Sequence, residues 1–256
     1  MLGLGSALVK GVGENGFGKP LSSNAYSIDF DGANDYISIS DQSIFSFGDA
    51  STDLPFSCSA WIKMDDQAKF RIMAKSGAGT GNIEWFFGTG ASDLLSLYLY
   101  DNEGGQQIAR HSTDLLGEDS WIHVAATYSG GGNNTDINMY VNGVNDNDSV
   151  SSAGSYTAMH SGGGALTIGS FARTGTTDYA NGTIDEVSLW DRELTAGEVK
   201  AIYNSGLPTD LSSENGLIGY WRMDEGTGTS VADSSTNSNA GTLVNSPTWT
   251  VDTPDD

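Results

Sequence analysis

The chain has 256 residues, 34 of them glycine, and its 33 acidic against 11 basic side chains give a formal charge of −22. That charge excludes binding that works by neutralising nucleic-acid phosphates and disfavours anionic membrane surfaces. A charged fraction of only 17%, with 6 Trp, 10 Tyr and 9 Phe, excludes a disordered chain and supplies bulk for a sizeable core.

Residues 1–24 are a Gly-rich leader without periodicity, expected to form an extended N-terminal arm. The leader lacks a basic n-region, so it is expected to be retained rather than removed as a signal peptide. No window reaches the roughly 20 apolar residues of a membrane span, so no membrane insertion is expected. From residue 26 onward the chain becomes short alternating runs, at 26–31, 36–40, 56–64, 70–75, 83–87, 94–100, 121–128, 136–141, 166–170 and 183–190. Turn-forming clusters rich in Gly, Asn and Ser separate them, which is the pattern of an antiparallel sandwich or jelly roll. Cys58, the single cysteine, excludes an intramolecular disulfide and is read as a small buried hydrophobe. Asn142-Gly143 marks a tight hairpin, and the polar run at 145–148 is expected to be a solvated loop. One short helix in the C-terminal half is predicted from the capping box Thr195 to Glu198, helical spacing of Val199, Ile202 and Tyr203, and the stop at Gly206 and Pro208. Residues 216–249 are too few for a separate core, and are expected to add strands to the domain at 25–249 or to serve as an interface element. Residues 250–256 are expected to be an acidic, solvated tail.

Several blocks resemble one family. The run Ser27-Ile28-Asp29-Phe30-Asp31-Gly32-Ala33-Asn34-Asp35-Tyr36-Ile37 looks like the first strands of concanavalin A-like, laminin-G-like jelly-roll domains. The segments 56–63, 121–143 and 183–203 resemble their second strand, central hairpin, and closing strand with its short helix. The block 221–241, with Asp224-Glu225-Gly226 and Asp233-Ser234-Ser235, resembles one these domains carry at their beginning, here displaced to the end. The resemblance implies an all-β, antiparallel two-sheet jelly-roll sandwich, a fold that hosts lectins, adhesins, hydrolases and inert modules alike.

By period-two alternation Asp185 falls on the face of Val187 and Leu189, and a carboxylate directed to an apolar face needs a partner. The resemblance implies a structural calcium ion held by Asp185, Asp31 and the carbonyl of Gly32, a hard cation for oxygen ligands. The alternative is an Asp satisfied by backbone N–H groups. Hydrolysis would need paired carboxylates, and the Glu-x-Asp-x-x-Glu pattern of related hydrolases is absent. No serine elbow, zinc helix or phosphate loop occurs either, so an enzyme is not expected.

On 57–63, Ser57, Ser59, Trp61 and Lys63 share a side, as do Trp121, His123 and Thr127, and Asp136, Asn138 and Tyr140. Ser96, Tyr98 and Tyr100 likewise oppose Leu95, Leu97 and Leu99. If these faces lie on one sheet, Trp61, Tyr98, Tyr100, Trp121 and Tyr140 form a sugar-stacking surface. The alternative is that the aromatics simply pack.

Two functions are expected. The first is a non-enzymatic bacteriophage virion component: a capsid decoration, head-fibre or tail-associated protein, with glycan adhesion as an added capacity. The leader 1–10 resembles openings of marine phage structural proteins, and ordering a Gly-rich arm costs about 1–2 kcal/mol per residue, which implies a neighbour to lie against. Other virion proteins or copies of this chain in a homo-oligomer would supply it. The second is a secreted or cell-surface carbohydrate-binding module or adhesin of a bacterium.

Overall fold

A computed structural model of the chain describes residues 18–21, 23–77, 82–90, 93–102 and 105–255. In chain order the strands are β1 (Lys19–Pro20), β2 (Ser27–Asp31), β3 (Tyr36–Ile39), β4 (Phe56–Met64), β5 (Arg71–Lys75), β6 (Trp85–Thr89) and β7 (Leu94–Asn102). Next come β8 (Gln106–Leu115), β9 (Ile122–Tyr128), β10 (Ile137–Val141), β11 (Val144–Asn145), β12 (Asn147–Ala153), β13 (Leu166–Ile168), β14 (Ser170–Arg173) and β15 (Thr176–Tyr179). The long strand β16 (Asn181–Trp190) precedes helix α1 (Ala196–Tyr203), and β17 (Thr209–Asp210), β18 (Leu217–Trp221), β19 (Ser230–Val231), β20 (Gly241–Val244) and β21 (Thr248–Thr250) follow.

The strands build two large sheets. The first runs β11-β10-β9-β4-β16-β2-β21, with β18 also on β16, and the second runs β12-β8-β7-β6-β5-β13-β3-β20-β19. Alternation explains why the sheets stack: on one face Ile28, Phe56, Ile62, Val124 and Met139 meet Ile37, Met73, Phe87, Leu97 and Ile168 of the other. Cys58 is buried in this layer, as its setting predicts. The hairpin at Asn142-Gly143 forms with φ of +49° and +73°, so the second position favours glycine.

The segment after α1 supplies strands to both sheets. β18 pairs with β16 and β21 with β2 in the first sheet, and β20 pairs with β3 in the second. Residues 250–255 are not a solvated tail. Lys63 Nζ donates to Asp252 Oδ2 at 2.5 Å, Trp121 Nε1 donates to Oδ1 at 2.8 Å, and Thr253 is only 2% exposed. The basic Lys63 of β4 and the indole of Trp121 beside β9 hold this stretch through Asp252. Of the expected arm, residues 1–17 lie outside the described residues. Its remainder finds partners within the same chain: β1 pairs with β17, and Gly18 N donates to Glu214 Oε1 at 2.8 Å.

The polar stretch 145–148 is an edge rather than a loop, since β11 ends and β12 begins there. The Asn147 side chain accepts from Met139 N (2.7 Å) and donates to Asn138 Oδ1 (2.8 Å), so an amide stands in for backbone pairing. The helix forms where its capping box predicts. Glu198 N donates to Thr195 Oγ1 at 3.3 Å, and Thr195 N donates back to Glu198 Oε2 at 2.8 Å. Val199 and Ile202 then pack on Tyr140, Trp190 and Tyr220, covering part of the first sheet's outer face.

Candidate functional site

The residues expected to hold calcium are not brought together. Asp31 stands opposite Asn181 on β16, four residues from Asp185, a separation of about 13 Å at roughly 3.3 Å per residue. Asp31 Oδ1 instead closes its own turn, accepting from Ala33 N (2.8 Å) and Asn34 N (3.2 Å). Asp185 is fully buried, with Oδ2 taking Asn24 Nδ2 at 2.8 Å and Oδ1 taking Glu186 N at 2.9 Å. These residues therefore do not fit a shared cation, and no cluster of three acidic, His or Cys side chains able to hold a metal occurs among the described residues.

Asp185 also lies on the opposite face from the expected one. A β-bulge interrupts the β16–β4 register between Asp185 and Ser188, where Glu186 adopts φ +49°. Asp185 pairs with outward-facing Trp61, whereas Leu189 pairs with Cys58 in the core. The extra residue shifts the parity, so Asp185 and Glu186 both leave the core face. At the same point the free edge of β16 changes partner, from β2 over residues 181–184 to β18 over 187–190. The seam is tied from both sides: Ala25 N donates to Asp224 Oδ1 at 2.8 Å, and Arg222 Nη2 donates to Ser23 O at 3.0 Å. The Tyr220 hydroxyl lies against Glu186 Oε2 and also faces Thr209 O at 3.0 Å. One hydroxyl proton cannot serve two acceptors, but a proton on Glu186 completes the chain. Burial raises the Glu186 pKa to about 8, against the pull of Tyr220 and of Arg222 Nε 3.6 Å from Oε1. Burial raises its neighbour Asp185 as well, so this acid pair favours holding a proton at neutral pH.

The aromatic residues expected to form one platform divide between two sheets, because β4, β9 and β10 belong to the first and β7 to the second. On the first sheet Trp61 is 3% exposed, with its ring centroid 5.4 Å from His123 and 5.9 Å from Tyr203 of α1. Tyr140 is 4% exposed in the cluster under the same helix. Trp121 flanks this region but is spent on Asp252. Burial lowers the His123 pKa to about 3. On this face Trp61, His123, Tyr140 and Tyr203 pack against one another and the helix.

The second sheet's outer face is built differently. One cross-strand row runs Ala74, Phe86, Tyr98, Ala109 and Ser151, and a neighbouring one brings Ser96 beside His111. The hairpin β14–β15 lies over this face. Its turn at Thr174-Gly175 uses φ +80° at the glycine, and Phe171 pairs across it with Asp178. Alternation puts Arg173 on the same side as Phe171. Phe171 stacks on Phe86 at 4.8 Å, Phe86 on Tyr98 at 5.8 Å, and Tyr98 on Tyr100 at 6.1 Å, all within 22° of parallel. The two Phe rings are buried and both Tyr rings are partly exposed, giving a ledge with a rigid apolar back and phenolic rims.

Polar groups edge the ledge. His111 Nδ1 meets Ser96 Oγ at 2.8 Å and Nε2 meets Ser151 Oγ at 3.0 Å. Burial lowers the His111 pKa, so the ring is neutral at pH 7, while burial raises both tyrosines. The Arg71 guanidinium lies 4.6 Å from the Phe86 ring centre, donates to Thr89 O at 2.5 Å and to Asp178 Oδ2 at 2.8 Å. Burial works to raise Asp178, yet Arg71 and Lys69 bring its carboxyl below the usual range. By contrast, a cleft of about 300 Å³ at one end of the sandwich, lined by Leu115, Leu116, Ile122, Val141 and Val144, has no aromatic or cationic lining among the described residues.

Arg71, Phe86, His111, Phe171, Arg173 and Asp178 are the members of this site that sequence reasoning missed. A signal existed only for Phe86, which stands between Trp85 and Phe87 in a strongly aromatic run. The hairpin residues acquire meaning only when β14–β15 folds over the sheet.

Two stacked antiparallel sheets define a jelly-roll-type sandwich. The family model of the concanavalin A-like lectin/glucanases superfamily, laminin-G type, matches residues 31–200, and the chain belongs to that superfamily. No curated protein sequence matches it. Among solved structures, a Bacteroides ovatus protein described as carbohydrate-binding is similar at 22% identity and a TM-score of 0.59, over 91% of this chain. This chain spans 61% of that protein's length. The CBM40 domain of the Ruminococcus gnavus IT-sialidase is similar over 71% of this chain and 100% of its own, with TM-scores of 0.53 alone and 0.52 bound to α2,3-sialyllactose, at 13% and 12% identity. At these identities the likeness is one of fold.

Proposed function

We propose that the chain is a carbohydrate-binding module that takes sugars on the outer face of the second sheet. The observation that carries this reading is the pair of partly exposed, parallel Tyr98 and Tyr100 rings, backed by Phe86 and Phe171 and edged by hydrogen-bonding groups. Sugar rings present C–H faces to aromatic rings and hydroxyls to polar rims, and this face offers both. Membership of a superfamily of lectins and glucanases supports the reading, as do a similar fold described as carbohydrate-binding and another bound to a sialylated sugar. The activity is binding without turnover: the adjacent acids Asp185 and Glu186 are buried beneath the first sheet's cover rather than facing a cleft.

Isothermal titration against oligosaccharides identified on a glycan array tests the proposal. Tyr98→Ala and Tyr100→Ala are each expected to weaken binding at least tenfold while leaving the fold intact. Undiminished binding by both variants would move the site elsewhere. A bacteriophage virion component and a secreted or surface module would use this face alike. They differ in whether the chain is part of virus particles, which its copy number in purified particles would reveal.

A further inference from the structure

We propose that the sugar taken by this face is acidic, carrying a carboxylate or sulfate group that Arg173 and Lys69 receive. The inference rests on the carbohydrate-binding reading above and names its ligand class.

The chain has 11 basic side chains against 33 acidic ones, so its general field repels anions. Three of those basic groups nevertheless converge on one carboxylate beside the aromatic ledge. Asp178 Oδ2 meets Arg71 Nη2 at 2.8 Å and Arg173 Nη2 at 3.5 Å, while Oδ1 meets Lys69 Nζ at 3.3 Å. Three positive charges around one negative charge leave the group with a surplus of two. The members differ in their freedom. Arg71 is buried, fixed over Phe86 and bonded to Thr89 O, so its role is to hold Asp178 and the hairpin in place. Arg173 and Lys69 have side chains 45% and 54% exposed, so both reach solvent while touching Asp178.

Position joins this charge to the ledge. The Arg173 guanidinium sits 5.8 Å from the Phe171 ring centre, and Phe171 lies 6.2 Å from Tyr100. A sugar ring on Tyr98 and Tyr100 would extend an acidic substituent toward Arg173, whose planar fork matches a carboxylate or sulfate in two-point contact. Screening confines surface charge to about 8 Å at physiological salt, so acids beyond that range do not cancel the local surplus. Asp66 and Glu118, which accept from Ala68 N at 2.8 Å and Gln67 N at 3.1 Å, stand on the Lys69 side, so the surplus is greatest at Arg173.

The test pairs each acidic sugar with its neutral counterpart on the same full-length chain: sialyllactose with lactose, trigalacturonate with its methyl ester, and a sulfated galactose oligosaccharide with the unsulfated one. At least one acidic member is expected to bind about tenfold or more tighter than its partner, and the preference should shrink at high salt. The carboxylated and sulfated pairs tell the two acid chemistries apart. The double variant Lys69→Gln, Arg173→Gln should abolish the preference, bringing the acidic sugar's affinity down to that of its neutral partner measured on the same variant. Equal binding within every pair, or a preference that survives the double variant, overturns the acidic assignment and leaves carbohydrate binding standing. No binding of any sugar overturns both.

Discussion

The outer faces of the two sheets are near equals in composition and opposites in fate. Each carries aromatic rings, a histidine and acidic groups on alternate strand positions. On the first sheet, α1, β1 and β17, and residues 250–255 gather over Trp61, His123, Tyr140, Asp185 and Glu186. On the second, among the described residues, the hairpin β14–β15 lies over part of the face, and it brings its own Phe171, Arg173 and Asp178 to the edge of what it leaves open. The contrast teaches that an amphipathic aromatic strand does not announce a binding site. What decides is whether the chain later returns to cover it, and here the returning segments are far along the chain: α1 begins 135 residues after Trp61, and β14 begins 72 residues after Tyr98.

Substitutions separate the two faces. Trp61→Ala should cost the largest stability, about 3–5 kcal/mol, because it empties a fully packed position. Its sugar affinity per folded molecule should be unchanged, whereas Tyr98→Ala should show the reverse. Chemical denaturation and titration of both variants check this, and a large affinity loss in the Trp61 variant would break the division.

The buried seam of the first sheet supplies the next effect. The folded-state pKa of Glu186 lies near 8, above its unfolded value near 4.5. The protonated group's contribution is therefore fully present below about pH 4.5 and is lost as pH rises through about 8. The slope in that window is no steeper than about 1.4 kcal/mol per pH unit. Glu186→Gln, which keeps a neutral side chain there, should flatten this loss. Denaturant titrations at pH 5 and pH 8 read it, and equal slopes in both proteins would remove Glu186 as the source. The smallest effect belongs to the cover itself: Thr195→Ala removes the helix cap and should cost about 1 kcal/mol, seen as a shifted denaturation midpoint without change in sugar binding.

Much of the fold could be read along the chain. The run 56–64 became β4 with the same bounds, the capping box started α1, and Asn142-Gly143 turned the hairpin. The pattern gave no warning of β8, Gln106–Leu115, since its outward positions are mostly polar, Ala109 apart, and its inward ones include Arg110. Edge strand β12 was hidden for the same reason. Of the site, Tyr98 and Tyr100 were legible because Leu95, Leu97 and Leu99 oppose them so regularly. Asp185 was placed on the wrong face because period-two counting assumes an uninterrupted strand, and the bulge at Glu186 adds a residue.

Alternation, turn residues and caps are local, so the sequence by itself determined that the chain makes an antiparallel sandwich with one capped helix and which side of most strands turns inward. Sheet membership, the cover on the first sheet and the hairpin over the second depend on contacts between residues far apart in the chain. Those contacts are chosen by burial of whole faces rather than by neighbouring residues, and only the tertiary structure decided that Trp61 is packing while Tyr98 is surface.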